Sequence, residues 1–292
     1  MRGRMAMLAA ALGTVALFAA SASAYQRAVP KPKDSGFAQV DGISLFYQVY
    51  GQGSPLLLIP GGLSDADVWR KQIPVLAKNH KVIVADSRGQ GRSTRDDEPI
   101  TYELMADDYL ALLDTLKVDK VALVGWSDGG IIGLDIALRH PERLTRMFIQ
   151  AANATPDGAL AYAALVAAGD LPALRHYDDV TQEIHALWAN EPNFTEEDLA
   201  SITVPTMVAI GEHDEAISLE HTIFLADTIP GAKLTILPNV GHSAPIEDPA
   251  GYAKAVLDFV DDPNGSAPEA DGDRAAPFST IVAGPVPQKT PG

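Results

Sequence analysis

Residues 120–139 read KVALVGWSDGGIIGLDIALR, and this stretch decides the fold. Lys120–Val124 is a short run of leucine and β-branched residues with little alternation, the pattern of a strand covered on both faces. From Ile131 to Arg139 the apolar residues recur with a helical period. Between them, Gly125-Trp126-Ser127-Asp128-Gly129-Gly130 must turn the chain sharply. This is G-x-S-x-G in the setting of strand, turn and helix. Such a turn strains the serine backbone and leaves its neighbours two residues away almost no room for side chains. Gly125 and Gly129 meet that demand, which makes Ser127 a candidate nucleophile at the end of a strand.

Outward from this turn the chain alternates between two patterns. Strands are expected at Phe37–Val40, Ser44–Val49, Pro55–Ile59, Lys81–Ala85, Met147–Gln150, Thr206–Ile210 and Lys233–Leu237. Helical periodicity marks Ala66–Ala77, Tyr102–Leu116, Leu219–Ile229 and Pro249–Val260, the last opening on Asp248 and Pro249. A hairpin followed by strand–helix units predicts an α/β fold with a mostly parallel, doubly wound sheet. The stretch from Ala152 to about Ile202 breaks the rhythm, with helical patterns such as Ala159–Ala168 and Thr181–Ala189 and no convincing strand. It reads as a short helical cap inserted before the last core strands, over the sheet's carboxyl ends. Tyr162, Tyr177, Trp188 and Phe194 either line a pocket there or pack the cap onto the core.

A serine hydroxyl needs a base, and the base needs an orienting acid. Of the seven histidines, His242 lies just beyond the Lys233–Leu237 strand, in the loop before the last helix. His80 and His140 lie at element boundaries and are expected to be solvated; His176 and His185 belong to the cap, and His213 and His221 flank the loop or helix after Thr206–Ile210. That strand ends in Gly211-Glu212-His213-Asp214-Glu215, which makes Asp214 the first choice for the acid, with Glu212 and Glu215 as alternatives. The order Ser127, Asp214, His242 places three roles at the ends of three strands. An oxyanion formed at Ser127 needs backbone donors. The Asp128 N–H supplies one, and the loop Pro60-Gly61-Gly62-Leu63-Ser64 supplies the other, from Gly62 first and Leu63 second.

With these motifs in hand, residues from about Phe37 to Val260 resemble the α/β-hydrolase family. Asp86-Ser87-Arg88-Gly89-Gln90-Gly91-Arg92-Ser93 is similar to the family's D-x-R-G-x-G-x-S turn. The chain departs from the family in carrying Pro60-Gly61 where many members have His-Gly. The resemblance implies an acyl-enzyme mechanism, with small esters as substrate and no metal or organic cofactor. Lactonase, amidase, carbon–carbon hydrolase and perhydrolase chemistry stay open on the same residues, as does a non-catalytic ligand-binding receptor. Gly125 to Gly130 followed by Ala152-Asn153-Ala154 also resembles valacyclovir-hydrolase-like members. That resemblance implies that Asp128 binds a substrate ammonium. Its plainer role is to complement a helix N-terminus, worth under ~1 kcal/mol at an exposed site. Leu63 and Trp188 are further candidate substrate contacts.

The ends read differently. Residues 1–24 have a basic start, an apolar stretch and Ala22-Ser23-Ala24 before Tyr25, the pattern of a cleaved export signal. The domain is expected over 25–261. From 262 to 292 the chain is rich in Pro, Gly, Ala and acids and is expected to be disordered. The expectation is a periplasmic or secreted protein with no stable membrane insertion. No cysteine is present, so stability rests on the core, which a 47% hydrophobic composition can supply. A net charge of −16 argues against a nucleic-acid partner, and the oligomeric state is left open.

Overall fold

A computed structural model of the chain describes residues 29–160 and 179–263. The stretch expected to be an export signal, the tail beyond Pro263, Tyr162, His176, Tyr177 and most of the helix expected over Ala159–Ala168 lie outside the described residues. Among those described, eight strands form one sheet in the order β1-β2-β4-β3-β5-β6-β7-β8. They are β1 (Asp34–Val40), β2 (Ile43–Gly51), β3 (Ser54–Ile59), β4 (His80–Ala85), β5 (Val121–Trp126), β6 (Leu144–Gln150), β7 (Thr206–Gly211) and β8 (Lys233–Leu237). β2 runs antiparallel to β1 and β4, and the remaining pairs are parallel.

The apolar runs are continuous because both faces of the sheet are buried. Side chains alternate in direction along a strand. Leu57 and Ile59 of β3 therefore join Ile83, Leu123, Ile149 and Val208 in one core layer. Leu56 and Leu58 join Val82, Val124, Phe148 and Ala209 in the other. The first layer is covered by α2 (Tyr102–Thr115) and α3 (Asp128–Arg139), the second by Trp69 and by Tyr252, Val256 and Phe259.

One expected helix divides. Ala66–Ala77 is a 3₁₀ helix over Ala66–Lys71 followed by a short α1 (Ile73–Leu76). Pro74 is the reason: it has no N–H and its ring crowds the carbonyl four residues back, so the helix must restart with proline in its first turn. β5 also runs two residues past its expected end, to Trp126, and α3 starts at Asp128 rather than Ile131. The turn is thus almost Ser127 alone.

In the cap, α4 (Asp179–Asn190) contains the expected Thr181–Ala189 helix, and α5 (Glu196–Ser201) follows under a Thr195 capping box. The cap is moored to the segment before α2. Glu183 pairs with Arg95 and accepts the Ile100 N–H at 2.8 Å, and Glu191 accepts the Tyr102 N–H at 3.2 Å. Beyond it come α6 (Leu219–Thr228), α7 (Ala244–Glu247) and α8 (Pro249–Val260).

Candidate active site

The turn after β5 holds Ser127 at φ 54° and ψ −119°. A non-glycine residue in this region is strained, and such strain persists only where the surroundings fix it. Here they do. A Cβ on Gly125 would stand 2.2 Å from the Gly129 carbonyl oxygen, and one on Gly129 would stand 2.2 Å from that of Ile59. The helix can approach the strands this closely only over glycines.

His242 Nε2 lies 3.1 Å from Ser127 Oγ, and its Nδ1 lies 3.1 Å from Asp214 Oδ1. Asp214 is oriented in turn by accepting the N–H groups of Ala216 and Ile217, each at 2.9 Å. Its side chain is only 1% exposed. Glu212 and Glu215 instead brace the histidine loop through its backbone. Glu215 accepts the His242 N–H at 3.1 Å, Glu212 that of Asn239 and Glu247 that of Gly241, both at 2.8 Å. From the other side, Trp126 Nε1 and Gln150 Nε2 donate to the His242 carbonyl at 2.9 and 3.3 Å. His242 is held at its main chain as well as its ring.

Of the other histidines, His80 departs from expectation. It is buried rather than solvated, with Nε2 3.2 Å from Asp261, the residue just past α8. His221 accepts the Ala154 N–H through Nε2, and burial pushes its pKa down.

The loop from Pro60 to Ser64 leaves β3 beside the turn at Ser127, since Ile59 pairs with Gly125. Among the described residues, the N–H groups of Gly62 and Asp128 meet no protein acceptor. Leu63 differs. Its N–H donates to Gln90 Oε1 at 2.5 Å, and its side chain is 42% exposed and absent from the described cavity wall. The Leu63 N–H is thus engaged within the protein, whereas that of Gly62 is not.

A cavity of about 140 Å³ opens over Ser127 and His242, close to the ~150 Å³ that accommodates a benzene ring. Its wall includes Tyr102, Asn153, His185, Trp188, Glu191 and Ile217. Asp128 also belongs to it. Its Oδ1 accepts from Tyr102 Oη at 3.0 Å and from Trp188 Nε1 at 2.8 Å. Burial raises the Asp128 pKa to about 6 against these hydrogen bonds and the pull of His242. The carboxylate thus does more than cap a helix: it ties the cap's Trp188 to the core beside Ser127. Burial lowers the pKa of His185, whose ring stacks on Trp188 at 5.1 Å. Phe194 packs against the core cluster rather than lining this cavity.

Residues 54–178 match the family described as alpha/beta hydrolase fold. The chain is 30% identical over 247 residues to "Putative carbamate hydrolase RutD" of Pseudomonas savastanoi, covering 71% of this chain and 94% of that protein. The chain belongs to the α/β-hydrolase family. It is also 29% identical to the mouse "Serine hydrolase BPHL", over 76% of this chain and 84% of that one. Among solved structures, an enol-lactonase from Burkholderia xenovorans shares 26% identity and a TM-score of 0.67 over 77% of this chain and 100% of its own. As a member of this family the chain is a hydrolase, and the sheet order and cap position are those of the α/β-hydrolase fold.

Sequence reasoning passed over Tyr102, Asn153, His185, Glu191 and Ile217 as pocket residues. Tyr102 stands 25 residues before Ser127 with nothing in its neighbourhood to mark it. Asn153 sits inside the run Ala152-Asn153-Ala154 that carries the valacyclovir-hydrolase-like resemblance, and that run is the one available signal.

Proposed function

We propose that this hydrolase is exported and cleaves a small carboxylic ester through an acyl-enzyme on Ser127. The observation that carries the reading is the hydrogen-bonded series Ser127, His242, Asp214 at the end of a strained turn. His242 Nε2 takes the Ser127 proton as Oγ attacks the carbonyl carbon. The oxygen's developing charge is received by the Gly62 and Asp128 amides. His242 then protonates the departing alcohol, and a water activated by the same nitrogen releases the acid. Asp214 fixes the tautomer and stabilises the imidazolium. The cavity volume suits a short acyl chain or a single ring.

A second reading concerns charge. Asp128 and Glu191 both line the cavity, and no lysine or arginine does so among its described residues. Asp128 meets only the neutral donors Tyr102 and Trp188 there. This supports an ester carrying an amine, in line with the resemblance to valacyclovir-hydrolase-like members. The test is turnover of neutral esters, amino-acid esters, lactones and amides by the native chain and by Asp128→Asn. Asparagine keeps one oxygen for both donors and loses the charge. We expect esters to be hydrolysed fastest. The substitution should cut kcat/KM about 10- to 100-fold on amino-acid esters alone, the size of a charged hydrogen bond. Equal losses on neutral esters would leave Asp128 only the task of holding Trp188. Turnover of lactones or amides without esters would overturn the ester assignment.

Export rests on residues 1–25. N-terminal sequencing of the chain recovered outside the cytoplasm should begin at Tyr25. A chain that stays inside and still begins at Met1 contradicts it.

A further inference from the structure

Two consecutive amides compete for the place beside the substrate oxygen in the loop after β3, and a residue from a different loop separates them. Gln90 is buried and sits between Gly89 and Gly91, both at positive φ, in the turn from Asp86 to Ser93. Its Oε1 accepts the Leu63 N–H at 2.5 Å. Because the partner is an N–H, the oxygen of the amide must face it. Three residues further along the oxyanion loop, Asp86 Oδ1 accepts the Ala66 N–H at 2.8 Å. Asp86 is itself held by Arg92 Nε at 2.7 Å. The loop is therefore pinned at Leu63 and Ala66 by two side chains of one rigid turn.

This pinning has a backbone cost. Leu63 sits at φ 55°, a conformation that side chains other than glycine adopt reluctantly. The Gln90 hydrogen bond offsets that cost and fixes the plane of the Gly62–Leu63 peptide. Gly62 next to it has no slack to take up. A Cβ there would stand 2.2 Å from Asp128 Oδ2 and 2.7 Å from Trp188 Cζ2. With Leu63's donor consumed and Gly62 wedged against Asp128, the Gly62 N–H beside Asp128 meets no protein acceptor among the described residues.

We propose that Gln90 is a positioning residue of the oxyanion site: by taking the Leu63 amide, it leaves the Gly62 amide as the loop's donor and holds it still. This rests on Ser127 being the nucleophile. Gln90 touches no reacting atom, so its effect must appear in the transition state and not in substrate binding.

The test compares Gln90→Met, which keeps the bulk and removes the acceptor, with Gln90→Glu, which keeps an acceptor oxygen. Removing an oxyanion donor outright costs ~10²–10³-fold in kcat, and a loosened donor should cost less. We expect Gln90→Met to lower kcat about 10- to 100-fold with KM within about threefold of native. Affinity for an arylboronic acid, which forms a tetrahedral adduct at the serine, should fall by the same factor. Gln90→Glu should recover most of the loss. A kcat within threefold of native in Gln90→Met, or equal damage in both variants, overturns the proposal. A measurement on the native chain stands independently of either variant. Residue-resolved hydrogen exchange should find the Leu63 amide protected in the free protein and the Gly62 amide protected only with the boronate bound. The reverse pattern overturns the proposal too. If a fluorophosphonate fails to label Ser127 in the native chain, the nucleophile assignment has failed and Gln90's role falls with it. Normal labelling beside an unaffected Gln90→Met rejects Gln90 alone.

Discussion

Ser127→Ala is expected to lower kcat on any ester the native chain hydrolyses by about 10⁴- to 10⁶-fold, with the melting temperature close to native. The size follows from how the roles are divided. Without Oγ no acyl-enzyme can form, and His242 is left aligned on nothing. Residual turnover comes only from cavity binding and the oxyanion amides, about 10³- to 10⁴-fold over water. Stability should barely change. Alanine retains the Cβ that the turn already accommodates at φ 54°, and it forgoes only the 3.1 Å hydrogen bond to His242. A fluorophosphonate should label the native chain on the peptide containing Ser127 and leave the alanine variant unmodified. A variant that keeps kcat within tenfold of native, or still takes the label, removes Ser127 from the role.

The strands were legible because of where they lie. β3, β4, β5 and β7 are covered on both faces, so burial itself writes a continuous apolar run. Their ends were less so. β5 continues to Trp126 because the tryptophan is buried and its indole reaches the His242 carbonyl, a partner 116 residues away. The acid loop shows the same limit. Three carboxylates in four residues could each have faced His242. What separates them is a local turn in which Asp214 accepts the amides of Ala216 and Ile217, so its side chain points inward. Glu212 and Glu215 then serve the backbone of the histidine loop. Residue type announced that a carboxylate belonged there. The cavity wall was least legible, because Tyr102 and Glu191 are brought together across the mouth of the sheet by the cap, and neither belongs to a local pattern.

The Asp86–Ser93 turn stood out as a motif, yet its letters hid what Arg88 does. That side chain is fully buried, and so is Asp108 on α2. Arg88 Nε and Nη2 donate to the two Asp108 oxygens at 2.8 and 2.7 Å, and Nη1 donates to Asp96 at 2.9 Å. The pair fastens the turn, and with it Gln90 and Asp86, to the helix that begins at Tyr102. Arg88→Met would fill most of the space and leave Asp108 without its cation. An unpaired buried charge costs about 3–5 kcal/mol, whereas an apolar pair of similar volume can match the original. At roughly 2–4 °C per kcal/mol for a domain of this size, the melting temperature should fall by about 6–20 °C at neutral pH. Asp108 has its pKa raised to about 6 by burial even though Arg88 pulls the other way. Removing Arg88 lifts it further. A carboxyl whose folded pKa lies above its unfolded value penalises folding while ionised, and the penalty fades as pH falls towards the unfolded value. The deficit of Arg88→Met should therefore be largest above pH 7 and shrink below about pH 6. Arg88→Met combined with Asp108→Leu should recover most of the lost stability, because no charge is then stranded. Thermal unfolding of the three chains from pH 5 to 8 checks this. A double variant less stable than the single, or a single-variant deficit that grows as pH falls, would mean that the stranded carboxylate is not what the arginine neutralises.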